Sequence, residues 1–277
     1  MRGLFAPVEM TGFWVSNVDM HDPLLDIAHR PYPLPQGRWI MRQRWNDLLF
    51  AHWPIAPEAM RPLIPAGLAL DTFEGQAWVG VVPFWMDRVR NRLAGEATIG
   101  VPTMGSFNEL NLRTYVRSPR SGKAGVYFFS LDASSALAVL GARTLFRLPY
   151  FLAAMRRSQG AGGGIDYASR RLPTRRLAEF EASYRPTGAL PASVPGTLQH
   201  FLTERYCLFT TFAGRTLVGD IHHAMWPLES AEAEIRVNTL PAAHGIALPD
   251  RPPILHFSRA LEVTIWPLAF DRDPDRA

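Results

Sequence analysis

A chain of 277 residues, 47% hydrophobic and 19% charged, is long enough to bury one large core and reads as a soluble globular protein. Its net charge of +4 is modest and its 28 arginines (against one lysine) are scattered, which argues against a nucleic-acid partner. A single cysteine, Cys207, excludes an internal disulfide and suits a reducing cytoplasm, and no apolar run reaches the roughly 18–20 residues that cross a bilayer, so no membrane partner is expected.

Residues 1–38 carry Pro31, Pro33 and Pro35 and read as an arm that wraps the domain or a partner, which keeps a homodimer open. Glu9 interrupts the apolar run at the start and makes a poor signal peptide. Residues 39–268 read as one domain and residues 269–277 as a polar tail. "WNDLLFAHWPI" (Trp45 to Ile55) predicts a strand. Residues 56–67 predict a short helix, with Pro57 in its first turn and Gly67 at its end. A hairpin turning at Glu74-Gly75 leads into a strand from Trp78 to Trp85.

Strands at 107–117 and 126–134 come next, and the segment from Ser134 to Arg157 has helical spacing broken at Pro149. "SQGAGGG" (Ser158 to Gly164) lacks the Gly-Lys-Ser/Thr ending of a phosphate loop and reads as a hairpin tip. Strands near 165–172 and 177–184, a short helix at 197–204, and further strands through Leu268 complete the chain. About ten strands joined by short turns, with a few short helices, predict a mainly β fold: an antiparallel barrel or sandwich.

The strand "NELNLRTYVR" alternates cleanly. Leu110, Leu112, Thr114 and Val116 share one face; Glu109, Asn111, Arg113, Tyr115 and Arg117 share the other. If the second face looks at water, this is an ordinary half-buried strand. If it looks into a barrel or cleft, it is a polar site.

Several phrases carry a resemblance: "LLFAHWPIAPEAMRPLIPAGLALDTFEGQAWVGVVPF", "FNELNLRTYVR", "VYFFSLDASSALAVLGAR", "FLTERYCLF", "HHAMWPL" and "LHFSRALEV". Together they resemble the YqjF-like family of uncharacterised proteins, DUF2071, over roughly residues 39–268. The resemblance implies the acetoacetate decarboxylase-like superfamily: a cone-shaped antiparallel β-barrel with a small-molecule site inside. The first reading of that site is a small organic acid or keto acid as ligand. The resemblance names no reaction, because one fold hosts many functions. Acetoacetate decarboxylase forms a Schiff base through a lysine amine. The lone lysine here, Lys123, sits in an expected exposed turn, and the loosely corresponding "FSLDASS" offers only Asp132, Ser134 and Ser135. Imine chemistry is therefore not expected.

In a cavity, Arg113 could clamp a substrate carboxylate in bidentate fashion, beside Asn111. Glu109 could act as general acid or base if burial raised its pKa. Asp132 is a second candidate catalytic group, with Ser134 as a ligand contact; both also sit where a helix N-cap would. His222 and His223 are neighbours on a strand and point to opposite faces, so they make a poor metal pair. His222 is retained as a ligand contact. Glu204, Arg205 and Tyr206 read as a locked corner, and Cys207 as a buried small hydrophobe. No motif points to a nucleotide, flavin, haem or metal. An acid–base lyase or hydrolase, a non-catalytic binding protein, and a structural protein with a filled interior all stay open. The last would use Phe84, Trp85 and Phe128 as filling.

Overall fold

The computed structural model describes residues 22–92, 98–100, 105–172 and 176–273. Fourteen strands dominate it. They are β1 (Met41–Ile55), β2 (Ala69–Leu70), β3 (Ala77–Arg92), β4 (Thr98–Gly100), β5 (Phe107–Arg117), β6 (Ala124–Ala133) and β7 (Tyr150–Gln159). β8 (Ile165–Arg171), β9 (Glu179–Ala189), β10 (Cys207–Phe212), β11 (Arg215–His222), β12 (Leu228–Asn238), β13 (Ile254–Ile265) and β14 (Ala269–Phe270) follow. The α-helices are short: α1 (Pro57–Met60), α2 (Ala136–Leu145), α3 (Leu198–Thr203) and α4 (Leu240–Ala243).

Local chemistry sets several boundaries. Glu74 (φ 49°) and Gly75 (φ 77°) turn the chain between paired Phe73 and Gln76, as an expected type I′ hairpin requires. Pro57 opens α1 where its missing N–H costs nothing. Ser135 caps α2, its hydroxyl accepting from the Ala138 N–H at 3.3 Å. The helical spacing expected through Arg157 ends at Leu145 instead, and β7 begins at Tyr150. Pro149 explains the break, since it lacks an N–H and disfavours the helical region for Leu148.

The strands form one mixed sheet whose pairings return on themselves. β13, β1, β3, β5 and β6 are consecutive neighbours. On one side β6 continues through β10 and β11 back to β13. On the other it continues through β7, β8, β9 and β12 back to β13. The expected all-antiparallel arrangement is corrected at two places: β6 pairs with both β7 and β10 in parallel.

Five strands therefore form a shared wall, buried on both faces. One face carries Leu49, Ala51, Val79, Val81, Leu110 and Leu112 into a core closed by Tyr167, Phe180 and Tyr184. Each large side chain there contributes roughly 1.5–3 kcal/mol by leaving water. The other face carries Leu48, Phe50, Val82 and Phe84 together with the polar row of β5.

Where β6 meets β10 the backbones press close. A Cβ on Gly125 would lie 2.6 Å from both the Cys207 carbonyl oxygen and its Sγ. Gly125→Ala is expected to lose about 1–3 kcal/mol in urea unfolding, the usual cost of overpacking against a backbone that cannot move.

The chain ends are less independent than the sequence implies. Arg30 donates to the Ile221 carbonyl at 2.7 Å and to His222 Nδ1 at 3.1 Å, tying the N-terminal segment to β11. Ala269–Phe270, expected to begin a polar tail, pair with β11 instead, and Asp271 accepts from the Ser118 hydroxyl at 2.6 Å. Residues 1–21 and 274–277 of the expected arm and tail lie outside the described residues. No described helix is long and apolar enough to cross a membrane.

Candidate functional site

A cavity of about 330 Å³ opens on the second face of the shared wall. Its lining is mostly apolar and includes Leu48, Val82, Phe84, Phe128, Leu131 and Trp226. Glu109, Asn111 and Arg113 of β5 all project into it, because alternate strand residues share a face. They are 3%, 7% and 8% exposed. The polar row thus faces the interior rather than bulk water.

Glu109 is held at one end. The Tyr150 hydroxyl donates to its Oε2 at 2.9 Å, and the Asn111 amide donates to the same carboxylate. Burial pushes the Glu109 pKa up to about 7; the two hydrogen bonds pull against that, and nearby Asp132 adds to it. A carboxyl group balanced there can give or take a proton near neutral pH.

Arg113 stands two same-face positions further along the strand. Its Nη2 donates to the Leu202 carbonyl at 3.2 Å and reaches the Tyr115 hydroxyl at 3.5 Å, while its guanidinium lies 5.2 Å from the Phe50 ring centre. Its Nε has no hydrogen-bond partner, and neither has Asn111 Oδ1 or Trp226 Nε1. Among the described residues no carboxylate pairs with Arg113. Arg205, also in the lining, differs: its Nη1 meets Asp71 Oδ2 at 2.6 Å, so its charge is neutralised.

A fully buried imidazole backs Arg113. His52 Nε2 lies 2.7 Å from the Tyr115 hydroxyl, which donates to the Leu202 carbonyl at 2.7 Å. A hydroxyl has one proton, so His52 Nε2 must be the donor and Nδ1 the bare nitrogen. Burial, then the charge of Arg113, then His256 hold His52 neutral by lowering its pKa.

The other expected site residues lie elsewhere. Asp132 is locked by Arg171, whose Nε and Nη2 reach its two oxygens at 2.9 and 2.7 Å. It faces away from the cavity and caps no helix. Ser134 is exposed, its Oγ accepting from the Asn108 N–H at 3.0 Å. His222 is corrected as a cavity residue: Arg30 supplies its Nδ1 and its Nε2 donates to the Pro23 carbonyl at 2.7 Å. The neighbouring His223 lines the cavity instead, with burial lowering its pKa to about 4. Lys123 is not exposed as expected; its Nζ sits 2.7 and 2.9 Å from the Asp220 carboxylate. Glu204 is consumed by Ser193, Tyr206 and the Trp226 N–H, consistent with a locked corner. Among the described residues, no group of three or more His, Cys, Asp or Glu could hold a metal ion.

Residues 42–262 match DUF2071, a family described as uncharacterized conserved protein. The chain belongs to the DUF2071 family. It is 49% identical over 235 residues to uncharacterized protein YqjF of Bacillus subtilis (strain 168), a match covering 85% of this chain and 94% of that one. Solved structures add the fold. The enduracididine biosynthesis enzyme MppR complexed with pyruvate matches at TM-score 0.58 and 13% identity, over 86% of this chain and 93% of its own. Acetoacetate decarboxylase from Legionella pneumophila matches at TM-score 0.57 and 12% identity, over 94% and 99%. An acetoacetate decarboxylase-like enzyme from Sphingomonas wittichii RW1 matches at 0.55 and 12%, over 88% and 98%. At these identities the likeness is one of fold: this DUF2071 chain is a mostly β protein of acetoacetate decarboxylase-like type.

Among the described residues that line the cavity there is no lysine, and Lys123 is held on the Asp220 carboxylate instead. Tyr150 and Arg205 are among the lining residues that the sequence did not nominate as site residues, and of the histidine pair it is His223 that lines the cavity. Tyr150 follows Pro149, and that break was the one local hint that a strand, not a helix, begins there.

Proposed function

We propose that this protein binds a monocarboxylic organic acid or keto acid in the cavity, with the carboxylate on Arg113. Glu109 serves as the acid–base group for lyase- or hydrolase-type chemistry without an imine. The ring of paired strands is then the cone-shaped barrel of the acetoacetate decarboxylase-like type, with the ligand in its interior. The observation that carries this reading is the buried Arg113, which meets no carboxylate among the described residues and has an unpartnered Nε. A buried cation without a counter-anion is costly, and a bound carboxylate removes that cost while offering two oxygens to the guanidinium fork. MppR, of similar fold, is described as complexed with pyruvate, which supports the same ligand class.

A thermal-shift screen against carboxylic and keto acids tests it. An acid present at about a hundred times its Kd stabilises by about 2.7 kcal/mol, on the order of 5–10 °C for a chain of this size. Arg113→Ala is expected to abolish the shift, since removing one partner of a buried charge pair costs roughly 2 kcal/mol or more of binding. Glu109→Gln is expected to keep the shift and lose turnover. No shift with any acid overturns the reading. An acid that binds the parent and is always recovered unchanged removes the catalytic half.

A further inference from the structure

The carboxylate reading, on which this inference rests, leaves the size of the acid open. The strand itself supplies a ruler. Same-face residues on a strand repeat about every 6.7 Å, so Glu109 and Arg113 leave β5 roughly 13 Å apart. The Arg113 head sits between the Phe50 and Tyr115 rings, 5.2 and 5.7 Å from their centres, with its Nη2 on the Leu202 carbonyl. Glu109 is held by the Tyr150 hydroxyl and the Asn111 amide. The neighbouring strand keeps the same order, with Val82 opposite Asn111 and Phe84 opposite Glu109.

An acid of pyruvate's size would leave most of the 330 Å³ to water. Water needs two to four polar partners, and the walls here are Val82, Phe84, Leu131 and Trp226. An apolar chain fits those walls better.

We infer that the ligand is an elongated monocarboxylate, its head on Arg113 and a mainly apolar tail of roughly eight to ten carbons running past Asn111 to Glu109. The open Asn111 Oδ1 lies partway along this path and accepts from a hydroxyl or similar donor on the chain.

Isothermal titration calorimetry with straight-chain acids from acetate to dodecanoate, and with pyruvate, reads the ruler directly. Each buried methylene is expected to tighten binding about threefold to fourfold, up to a break near eight to ten carbons, with heat capacity falling in step. Val82→Phe, midway along the path, is expected to move the break several carbons shorter. Affinity that stays flat with length, or pyruvate binding as tightly as decanoate, overturns the elongated ligand. If that flat binding still depends on Arg113, the carboxylate reading stands alone. Binding by no acid at all removes both.

Discussion

Arg171→Ala is expected to cost the fold about 3–5 kcal/mol, and Asp132→Ala a similar amount. The pair is sealed: the two side chains are 0% and 1% exposed, and the guanidinium grips both carboxylate oxygens. Its Nη1 also donates to the Arg176 carbonyl at 2.9 Å, and its Cζ lies 3.9 Å above the Phe151 ring. Removing either partner strands a charge in a medium that cannot solvate it. Replacing both with apolar residues of similar volume is expected to recover most of the loss. Arg185–Glu232 is the control: at 2.8 Å but 53% and 64% exposed, it is expected to contribute no more than about 1 kcal/mol. Urea unfolding of Arg171→Ala, Asp132→Ala, the apolar double replacement and Arg185→Ala checks this. A loss below about 1 kcal/mol for Arg171→Ala would mean that the buried pair is not an anchor of the fold.

The second large effect is on pH dependence. Glu109 has an ordinary pKa of 4.5 and stands at about 7 in the folded protein. The fold therefore favours its protonated form. The stabilisation from that preference is complete below about 4.5 and is lost as pH rises through 7. A gap of this size corresponds to about 3 kcal/mol. Glu109→Gln cannot titrate, so the stability of the parent minus that of the variant is expected to fall by about 3 kcal/mol between pH 4.5 and 8. The subtraction cancels the titrating groups that Glu109 does not perturb. A difference that stays level with pH would mean that Glu109 is solvated or paired, and would remove it as an acid–base group.

Much of this was legible in one strand. The period of two in "NELNLRTYVR" put Glu109, Asn111 and Arg113 on one face, and that parity is a property of the backbone, independent of what surrounds it. The pattern could not say whether that face met water or a cavity, because burial of the polar face depends on α2, β10 and β11 folding over it. Arg171 and Tyr150 were invisible for the same reason: each meets its carboxylate across about forty residues of sequence. His222 was misplaced because it ends β11, where strand parity no longer decides which imidazole turns inward. The parallel pairings of β6 were hidden too, since neither is made by a short turn.

Whether a carboxylate sits on Arg113 inside the cavity can be seen directly. Crystals grown with a bromine-tipped medium-chain carboxylic acid would carry an anomalous marker at the tail. The expected map has the carboxylate within hydrogen-bond distance of the Arg113 guanidinium and the bromine peak near Phe84 and Glu109. A carboxylate bound elsewhere, or an Arg113 that keeps only its contacts to Leu202 and Tyr115 while the acid occupies another surface, would contradict it.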